Sequence, residues 1–390
     1  MKVLFLTVTA GQGHNSASFA LANYLKSEGL ECIVLDTYKY LSKLMGDIID
    51  YGYTSMARHS PELHLIMYDK AEKASSNEKI RKAYLPYTIA EASRKKMQKY
   101  INLKKPDAIV CTHIFTAIIV SQMRRDGVLD SKIPVLGIVT DFTLHPFWED
   151  TILDYYVLAN ELLIYTARRK GIDKEKLLPF GIPVKEEFSE DIPVSEARGR
   201  LDLKDKMTVL LISSSVGFGN IPDILSDIDK VPMDFQTVVI CGRNKRLAQK
   251  LRDTAYSKNV IVVDYVNNME LYMDAADVIV TKPGGLTVSE ALAKRRPLII
   301  TDPIPGVENR NAYFLINNNL AVYAGRFARI DEVIMQLFSH PEKLSQMSKA
   351  QQLFGKRHSA KATGDFIIKL IRHESPDVKE HGSETYSGSF

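Results

Sequence analysis

The chain has 390 residues, of which 45% are hydrophobic and 25% charged, a balance typical of a soluble globular protein with about two to three domains. Its three cysteines, Cys32, Cys111 and Cys241, lie far apart, which argues against a disulfide framework or a zinc site and fits a reducing compartment. The net charge is only +4, and no stretch approaches the ~18–20 apolar residues of a membrane-spanning helix, so a soluble or peripheral protein without a nucleic-acid partner is expected.

The first half of the chain alternates apolar runs of strand length with helical patterns. Strands are predicted at 2–8, 31–38, 107–113, 134–141 and 154–160, and a helix at 16–29. The apolar runs are continuous rather than alternating, which is typical of strands buried on both faces of a parallel sheet between helices. The pattern therefore predicts an α/β domain over residues 1–184.

A basic insert interrupts this alternation at about residues 39–105. It contains 14 Lys and Arg against 7 Asp and Glu, together with seven of the 18 tyrosines. Basic residues mixed with aromatic side chains suit an anionic membrane surface, and a solvated basic helical face is the alternative. The insert supplies the candidate membrane-contacting cations, which are Arg81, Lys82, Arg94, Lys95 and Lys96.

The alternation restarts after a charged, Pro- and Gly-bearing stretch that predicts a linker at residues 185–200. Strands are predicted at 207–214, 236–242, 260–266, 277–282 and 296–302, followed by a helix-rich tail. Residues 374–390 are polar and expected to be disordered. The prediction is two doubly wound α/β domains whose ligands bind at the carboxyl ends of the strands, so that two facing sheets form a cleft.

The loop after the first strand, "TAGQGH", carries the first candidate catalytic residue. Gly11 and Gly13 allow a tight turn and close backbone approach at the start of a helix. The loop is not a dinucleotide fingerprint, because residue 16 is Ser, and it is not a phosphate loop, because no Gly-Lys-Ser/Thr follows. His14 ends the loop, and an imidazole pKa near about 6.5 suits a general base, whereas the alternative role is only to cap the helix.

Glycine-bearing loops after strands of the second half are built to approach a phosphorylated polyol. "KPGGLTVSE" (282–290) predicts a strand end, a tight turn and a helix capped by Thr287 or Ser289, whose N-terminus favours a phosphate. Glu290 lies about one turn into that helix, where its carboxylate can accept hydrogen bonds from a ribose diol. "SSSVGFGN" (213–220) and "DPIPGVENRNA" (302–312) offer further groups, and together the loops indicate a nucleotide-sugar.

These motifs resemble those of the family 28 glycosyltransferases, and in particular the branch that glycosylates diacylglycerol. The resemblance spans roughly residues 2–370 and rests on the loop ending in His14, "VTDFTLHPFW" (139–148), "GIPV" (181–184), "KPGGLTVSEA" (282–291) and "PIPGVENRNA" (303–312). It implies the GT-B fold, in which two Rossmann-like domains face a central cleft. The donor domain would be residues 201–350, and a last helix at 351–373 would cross back to the N-terminal domain.

The resemblance also implies a reaction, the inverting transfer of a hexose, glucose foremost, from a UDP-sugar to the hydroxyl of diacylglycerol without a metal or other cofactor. His14 falls on the loop histidine proposed as general base in lipid-glycosylating relatives. Asp141 is expected to orient His14 or the lipid headgroup, with a helix cap as the alternative, and it is the next candidate for the base. His145 and Trp148 are expected on the acceptor or membrane side.

For the donor, Glu290 falls on the ribose-binding glutamate and Val266 falls where backbone groups pair with uracil. The remaining implied donor-binding positions are Gly13, Ser214, Gly217, Gly219, Gly284, Gly285, Leu286, Thr287, Glu308 and Asn309. Relatives commonly read Pro-Gly-Gln-Glu where this chain has Val307 before Glu308, and "SSSVGFGN" replaces their run of glycines. These departures bear on the identity of the sugar and on the fit of the phosphates.

The resemblance places the protein in the cytoplasm, peripheral on the inner face of the membrane and bound through the basic insert. The alternatives are a UDP-galactose-dependent monogalactosyldiacylglycerol synthase, a lipid II-type GlcNAc transferase, a UDP-GlcNAc 2-epimerase of the same fold and a non-catalytic UDP-sugar sensor. An epimerase needs no lipid surface, and a sensor needs no base at His14. The sequence distinguishes neither glucose from galactose nor the number of sugars added.

Overall fold

The structure is a computed structural model that describes residues 1–9, 13–42, 85–213 and 220–374. The chain divides into two compact units, Met1–Glu186 with His358–Phe390, and Glu187–Arg357. Most of the basic insert, the glycine loop at 214–219 and the tail from residue 375 lie outside the described residues.

The first unit is a parallel sheet covered by helices. Its strands are β1 (Lys2–Thr7), β2 (Glu31–Asp36), β3 (Ala108–Cys111), β4 (Val135–Ile138), β5 (Tyr155–Val157) and β6 (Leu177–Leu178). Its helices, numbered in chain order, are α1 (Gly13–Ser27), α2 (Thr37–Leu41), α3 (Leu85–Lys104), α4 (Ile114–Arg125), α5 (Ile164–Arg169) and the last helix of the chain, α14 (Ser359–Ile371). Short 3-10 turns occupy Pro146–Asp150, Glu161–Leu163, Lys174–Lys176 and Glu186–Phe188.

The second unit repeats this design. Its strands are β7 (Thr208–Ile212), β8 (Gln236–Ile240), β9 (Asn259–Val263), β10 (Val278–Thr281), β11 (Leu298–Ile300) and β12 (Val322–Tyr323). Its helices are α6 (Val194–Arg200), α7 (Ile221–Asp229), α8 (Lys245–Arg252), α9 (Met269–Ala275), α10 (Gly285–Ala293), α11 (Val307–Asn317), α12 (Ile330–Ser339) and α13 (Pro341–Phe354). Both sheets are parallel wherever strands pair, which confirms the predicted α/β class.

The strand order of each sheet places a crevice at one point of its carboxyl edge. Within the described residues the orders are β2-β1-β3-β4-β5-β6 and β12-β11-β10-β7-β8-β9. In both sheets, the strands that come next in the chain are added on one side of the first strand, and the later strands are added on its other side. Loops on the two sides of this switch point diverge, and ligands of doubly wound sheets bind there. The switch points lie between β1 and β3 in the first unit and between β7 and β10 in the second.

Continuous apolar strands form the core of each unit. In the first sheet, Phe5 pairs with Val34 on one side and Val110 on the other. Helix α14 closes this core, because Phe366 packs edge-on against the rings of Tyr155 at 4.8 Å and Phe180 at 5.8 Å. The sequence patterns were sufficient to predict these strands because burial on both faces leaves little room for polar residues.

The segment predicted to be a linker contains helix α6. Ala197 and Arg198 on this helix are buried. The Arg198 guanidinium donates to Asp277 at 2.6 Å, to Asp205 at 2.9 Å and to the Ala275 carbonyl at 3.2 Å. The charged composition that indicated a linker therefore belongs partly to a buried ion-pair network that joins α6 to the amino edge of the second sheet.

Candidate active site

His14 lies at the switch point of the first sheet, as the second residue of α1. Its Nδ1 atom is 2.7 Å from the carbonyl oxygen of Thr112, which directly follows β3, and 2.9 Å from the Thr140 hydroxyl. A carbonyl oxygen can only accept, so Nδ1 carries the proton and donates it to Thr112. In the neutral ring, the lone pair is then on Nε2, which is the atom that can act as a base.

The surroundings of His14 keep it neutral. Burial lowers the pKa of His14 from 6.5 to about 4, although the bond to the Thr112 carbonyl acts in the opposite direction. The imidazole is therefore neutral near pH 7. Its pKa is lower than the ordinary histidine pKa of about 6.5 that the sequence analysis assumed. Nδ1 is bonded to residues outside α1, so this nitrogen does not cap the helix as the alternative interpretation required.

His113 is a residue of this site that the sequence analysis missed. It follows Thr112 at the carboxyl end of β3 and caps α4, with its Nδ1 accepting the amide of Phe115 at 3.1 Å. Its ring meets the ring of His14 edge-on, with centroids 4.7 Å apart and an interplanar angle of 89°. The sequence did contain a signal for His113. A histidine ends the apolar run "VCTH" (110–113), just as His14 ends the "GQGH" loop that follows the first strand.

A polar network fixes the start of α1. The Thr7 hydroxyl donates to the side chain of Asn15 at 2.9 Å, and the Asn15 amide donates to the Thr9 hydroxyl at 3.1 Å. Thr9 in turn donates to Asp36 at the end of β2. Gly13, implied in donor binding, is the first residue of α1 and half-buried. The network joins Thr7 and Thr9, which precede residues 10–12, to Asn15, which follows them. Residues 10–12 themselves lie outside the described part of the chain.

The structure places Trp148 in the core rather than at a membrane surface, and its expected place on the acceptor side stays a prediction. Its side chain is 4% exposed and packs against Gly137 and Tyr156. A Cβ atom at Gly137 would lie 2.7 Å from the Trp148 ring, so β4 needs glycine at this position. This corrects the prediction that Trp148 contacts the membrane, and the physical reason is that the "HPFW" turn folds inward onto β4.

Asp141 and His145 lie between β4 and β5, beside the His14 cluster. Asp141 is half-buried, one residue after Thr140, which contacts His14. His145 caps the turn Pro146–Asp150, with its Nδ1 accepting the amide of Phe147 at 3.3 Å. His145 is also close enough to His113 to lower the pKa of His113 by repulsion. The orienting role of Asp141 and the acceptor-side role of His145 stay predictions.

In the second unit, the Pro-Gly-Gly turn lies at the switch point, between β10 and α10. Gly284 is the N-cap residue of α10, and no side chain caps the helix. The prediction of a Thr287 or Ser289 cap is wrong, because the Ser289 hydroxyl donates instead to the Gly285 carbonyl at 2.8 Å. The N-cap residue Gly284 therefore offers no side-chain acceptor to the first-turn N–H groups of α10, and such N–H groups can bind an anion.

The implied donor residues on α10 share its first turns. Gly285, Leu286 and Thr287 are its first three residues, and Glu290 is the sixth of its nine residues. Leu286, Thr287 and Glu290 are half-buried. Val266, expected beside uracil, is half-buried in the connection between β9 and α9. Ser214, Gly217 and Gly219, on the loop after β7, lie outside the described residues.

Glu308, expected in sugar recognition, is already bonded on both carboxylate oxygens. Oε2 accepts the amide of Ile304 at 2.9 Å, and Oε1 pairs with the Nζ atom of Lys282. Lys282 directly follows β10 and precedes the Pro-Gly-Gly turn; its side chain is 20% exposed and that of Glu308 is 12% exposed. Lys282 is a second residue that the sequence analysis missed, although its place before the glycines could have indicated it.

The loop after β11 is tied to the Pro-Gly-Gly turn. The buried Asn311 amide donates to the Pro283 carbonyl at 3.0 Å, next to the Lys282–Glu308 pair. Gly306 caps α11 with a φ of 96°, a left-handed conformation that favours glycine. Asn309, on the first turn of α11, is half-buried. The two loops therefore form one bonded cluster at the carboxyl edge of the second sheet.

The cations of α3 differ in their surroundings. Arg94 pairs with Asp126 and Glu91, and Lys96 donates to the carbonyls of Tyr40 at 2.7 Å and Leu41 at 3.1 Å. Lys95 is exposed, and so is Lys99 one turn later on α3. Arg81 and Lys82 lie outside the described residues. Arg94 is therefore partly neutralised, whereas Lys95 and Lys99 present charge to the surface. None of the described helices is both long and apolar enough to cross a bilayer.

Comparison with known proteins finds relatives over most of the chain. Residues 14–184 match the family model for monogalactosyldiacylglycerol (MGDG) synthase, and residues 215–363 match the model for the glycosyltransferase family 28 C-terminal domain. The processive diacylglycerol beta-glucosyltransferase of Bacillus pumilus is 27% identical over 94% of this chain and 94% of its own length. The protein of the same name from Bacillus mycoides is 29% identical over 100% of this chain and 98% of its own.

Solved structures show the same fold at low identity. MurG of Acinetobacter baumannii superposes with a TM-score of 0.59 at 16% identity, covering 94% of this chain and 99% of its own. The UDP-GlcNAc 2-epimerase of Neisseria meningitidis, bound to UDP-GlcNAc, gives a TM-score of 0.59 at 14% identity, covering 95% of this chain and 100% of its own. The fold is thus the GT-B type predicted from the sequence, which glycosyltransferases and epimerases share.

Proposed function

From the premise that this chain belongs to the family 28 glycosyltransferases of glycolipid synthesis, we propose that it transfers glucose from UDP-glucose to the hydroxyl of diacylglycerol. The transfer is inverting and needs no metal. The observation that carries the proposal is the neutral imidazole of His14, whose proton on Nδ1 leaves Nε2 as a base at the switch point of a unit that matches the MGDG synthase model.

The chemical step is one in-line displacement. The hydroxyl of diacylglycerol gives its proton to Nε2 of His14 as its oxygen attacks the anomeric carbon. The bond from that carbon to the diphosphate oxygen breaks, and UDP leaves with the electron pair. The new glycosidic bond has the opposite anomeric configuration, so an α-linked donor gives a β-linked product.

The leaving diphosphate gains negative charge, and the second unit supplies the groups to receive it. The uncapped N–H groups of α10 and the ammonium of Lys282 lie at the same switch point. Preorganised donors of this kind stabilise charge that develops in a transition state. Glu290 binds the ribose diol, and backbone groups at Val266 bind uracil. Gly13, Ser214, Gly217 and Gly219 complete the donor set proposed from the resemblance.

Sugar identity rests on the loop after β11. Glu308 and Asn309 contact the hexose, and Lys282 positions Glu308 through their ion pair. Glucose is favoured because the relatives that match nearly the whole chain are named as glucosyltransferases. Galactose is the second candidate, because the model matched by residues 14–184 is that of monogalactosyldiacylglycerol synthase.

The acceptor is embedded in a bilayer, so the proposal includes reversible docking on the inner face of the membrane. The exposed Lys95 and Lys99 of α3, together with the insert's cations outside the described residues, would supply the charge. Each basic residue near an anionic surface contributes about 1 kcal/mol. Docking through several such residues suits a peripheral enzyme.

The test is to incubate the protein with UDP-glucose or UDP-galactose and diacylglycerol vesicles containing anionic lipid, with and without EDTA. We expect a glucolipid on thin-layer chromatography, unaffected by EDTA, and a β-anomeric proton in its NMR spectrum. Exclusive use of UDP-galactose would replace glucose with the second candidate. Absence of any glycolipid from both donors, with UDP binding intact, would favour a UDP-sugar sensor instead.

A further inference from the structure

Two neighbouring imidazoles at the switch point of the first sheet carry their protons on opposite nitrogens. The Nδ1 atom of His14 donates to the Thr112 carbonyl, which leaves its Nε2 as an acceptor. The Nδ1 atom of His113 accepts the Phe115 amide at 3.1 Å, so the neutral ring of His113 must carry its proton on Nε2. One ring thus offers a lone pair, and the other offers an N–H group.

A single stretch of backbone holds both rings. The Thr112 carbonyl fixes His14, and the next residue along the chain is His113. The Ser18 hydroxyl donates to the His14 carbonyl at 2.9 Å and lies 3.0 Å from the Thr112 hydroxyl. The two imidazoles are therefore fixed relative to each other, with ring centroids 4.7 Å apart.

Both rings are neutral near pH 7, which the opposite tautomers require. Burial lowers the pKa of His14 to about 4. Burial also lowers the pKa of His113 well below 6.5, and repulsion from His14 and His145 adds to this effect. A protonated ring would present only donors and could not accept a proton.

An alcohol is the ligand that matches such a pair, because its oxygen both donates and accepts. An oxygen that is about 2.8 Å from each of two nitrogens needs them about 4–5.5 Å apart. The ring centroids of His14 and His113 are 4.7 Å apart, so the two rings are close enough for one oxygen to reach a nitrogen of each. Thr112 and Thr140 already engage Nδ1 of His14, and Phe115 engages Nδ1 of His113. The Nε2 atoms are then the ones that an incoming alcohol would meet.

We propose that His113 is a second acceptor-binding residue, whose Nε2–H group donates to the oxygen of the lipid hydroxyl while His14 takes the proton of that hydroxyl. This inference rests on the proposed function. His113 uses one lone pair of the oxygen, and the other is directed at the anomeric carbon. The hydroxyl is thereby oriented before reaction, which is how positioning lowers a barrier.

The test uses two inhibitors of matched size derived from a short-chain diacylglycerol. In one the free hydroxyl is a methyl ether, and in the other the ether oxygen is replaced by a methylene group. The ether can accept from His113 but cannot donate to His14. We expect the wild-type protein to bind the ether roughly 2–10-fold more tightly than the methylene analogue, which is the range of one net hydrogen bond.

His113→Asn is the informative variant, because asparagine also caps helices well and α4 should keep its N-cap. We expect the preference for the ether to disappear, the KM for diacylglycerol to rise and the affinity for UDP to stay unchanged. His358→Asn, an exposed histidine whose side chain is 63% exposed, is the control and should change none of these. A purely structural role for His113 predicts that the Asn variant keeps both transfer and the ether preference.

The outcomes separate this inference from the proposed function. Equal binding of the two analogues by the wild-type protein overturns the inference, whether or not any variant folds. His14→Ala should reduce transfer by about 10²–10⁴-fold but keep the ether preference, because the donor on His113 remains. Substantial transfer by His14→Ala would instead refute the base assignment, while the ether preference would still report on His113.

Discussion

At the scale of single residues, the contacts of His14 convert a sequence motif into a chemical hypothesis. The "GQGH" loop indicated a histidine at a strand end but could not indicate which nitrogen holds the proton. The Thr112 carbonyl determines this, because it can only accept a hydrogen bond from Nδ1. The assignment of Nε2 as the candidate base follows from that one contact between residues 98 positions apart.

His14→Ala should reduce turnover by about 10²–10⁴-fold, because it removes the side chain proposed to take the acceptor's proton. The affinity for UDP should be nearly unchanged, since the implied donor residues other than Gly13 belong to the second unit. Steady-state transfer and calorimetry with UDP measure the two quantities. His358→Ala is the matched control. Transfer by His14→Ala within a few fold of the wild-type rate would direct attention to Asp141 as the base.

The pH dependence of stability tests the lowered pKa values of the two half-buried imidazoles, His14 and His113. The folded-state pKa of His14 is lowered to about 4 from 6.5, so between these values the unfolded chain binds more protons than the folded one. The pKa of His113 is lowered too. The free energy of unfolding should therefore fall as the pH decreases from about 6.5 to about 4, by roughly 1–2 kcal/mol from His14 alone between pH 7 and pH 5, and His113 should add to this loss.

Urea unfolding at pH 7 and pH 5 measures this effect for the wild type and for His113→Asn. The variant should lose less stability on acidification, because one of the two histidines that must be neutral in the folded state is gone. An equal loss in both proteins would show that His113 takes up its proton in the folded state near its ordinary pKa.

At the scale of elements, each unit presents its candidate residues on loops at a switch point. The loops after β10 and β11 are joined by the pair between Lys282 and Glu308 and by the bond from Asn311 to Pro283. The connection explains how a loop with two left-handed residues, Asp302 at φ 42° and Gly306 at φ 96°, is held in one conformation. A loop that is bonded before the ligand arrives loses less entropy on binding.

Lys282→Met should weaken binding of UDP by roughly 10-fold or more, because a charged hydrogen bond to the diphosphate is worth about 1.5–3 kcal/mol. Binding of uridine, which has no phosphate, should change little. Calorimetry with both ligands makes the comparison, with Lys349→Met on the exposed face of α13 as the control. Equal weakening of UDP and uridine would mean that Lys282 acts only by holding the loops together.

At the scale of the whole molecule, the charge is unevenly distributed along the chain. The basic insert has 14 Lys and Arg against 7 Asp and Glu, whereas the net charge of the chain is +4. On α3, Lys95 and Lys99 differ from Arg94, which pairs with Asp126, and from Lys96, which is also exposed but donates to two carbonyls of α2. A docking surface should therefore depend on Lys95 and Lys99 more than on their neighbours.

Lys95→Glu combined with Lys99→Glu should weaken binding to anionic vesicles at least about tenfold, because two attractions of about 1 kcal/mol become repulsions. High salt should weaken the wild-type protein in the same way. Co-sedimentation with vesicles measures both effects. Lys250→Glu with Lys349→Glu, in the second unit, is the control of equal charge. Equal binding by both double variants would exclude α3 from the docking surface.

The strands and the fold class could be predicted from the sequence because their cause is local. A run such as "VLLI" (209–212) is apolar at every position, since a strand covered on both faces has no solvent side, and the structure places it in β7. The same reasoning failed for α6, whose Arg198 appears from the sequence to belong to a solvated linker. Arg198 is buried because it forms an ion pair with Asp277, which lies 79 residues away in the sequence.

The sequence by itself therefore determined the two α/β units, the loops that carry candidate residues and the family, because periodicity and short motifs are properties of neighbouring residues. Only the tertiary structure decided which side chains meet. It brought His113 to His14, bonded Glu308 to Lys282 and turned Trp148 into the core. Each of these depends on the positions of strands from distant parts of the chain, and parallel pairing sets those positions through burial and hydrogen bonds that no single segment contains.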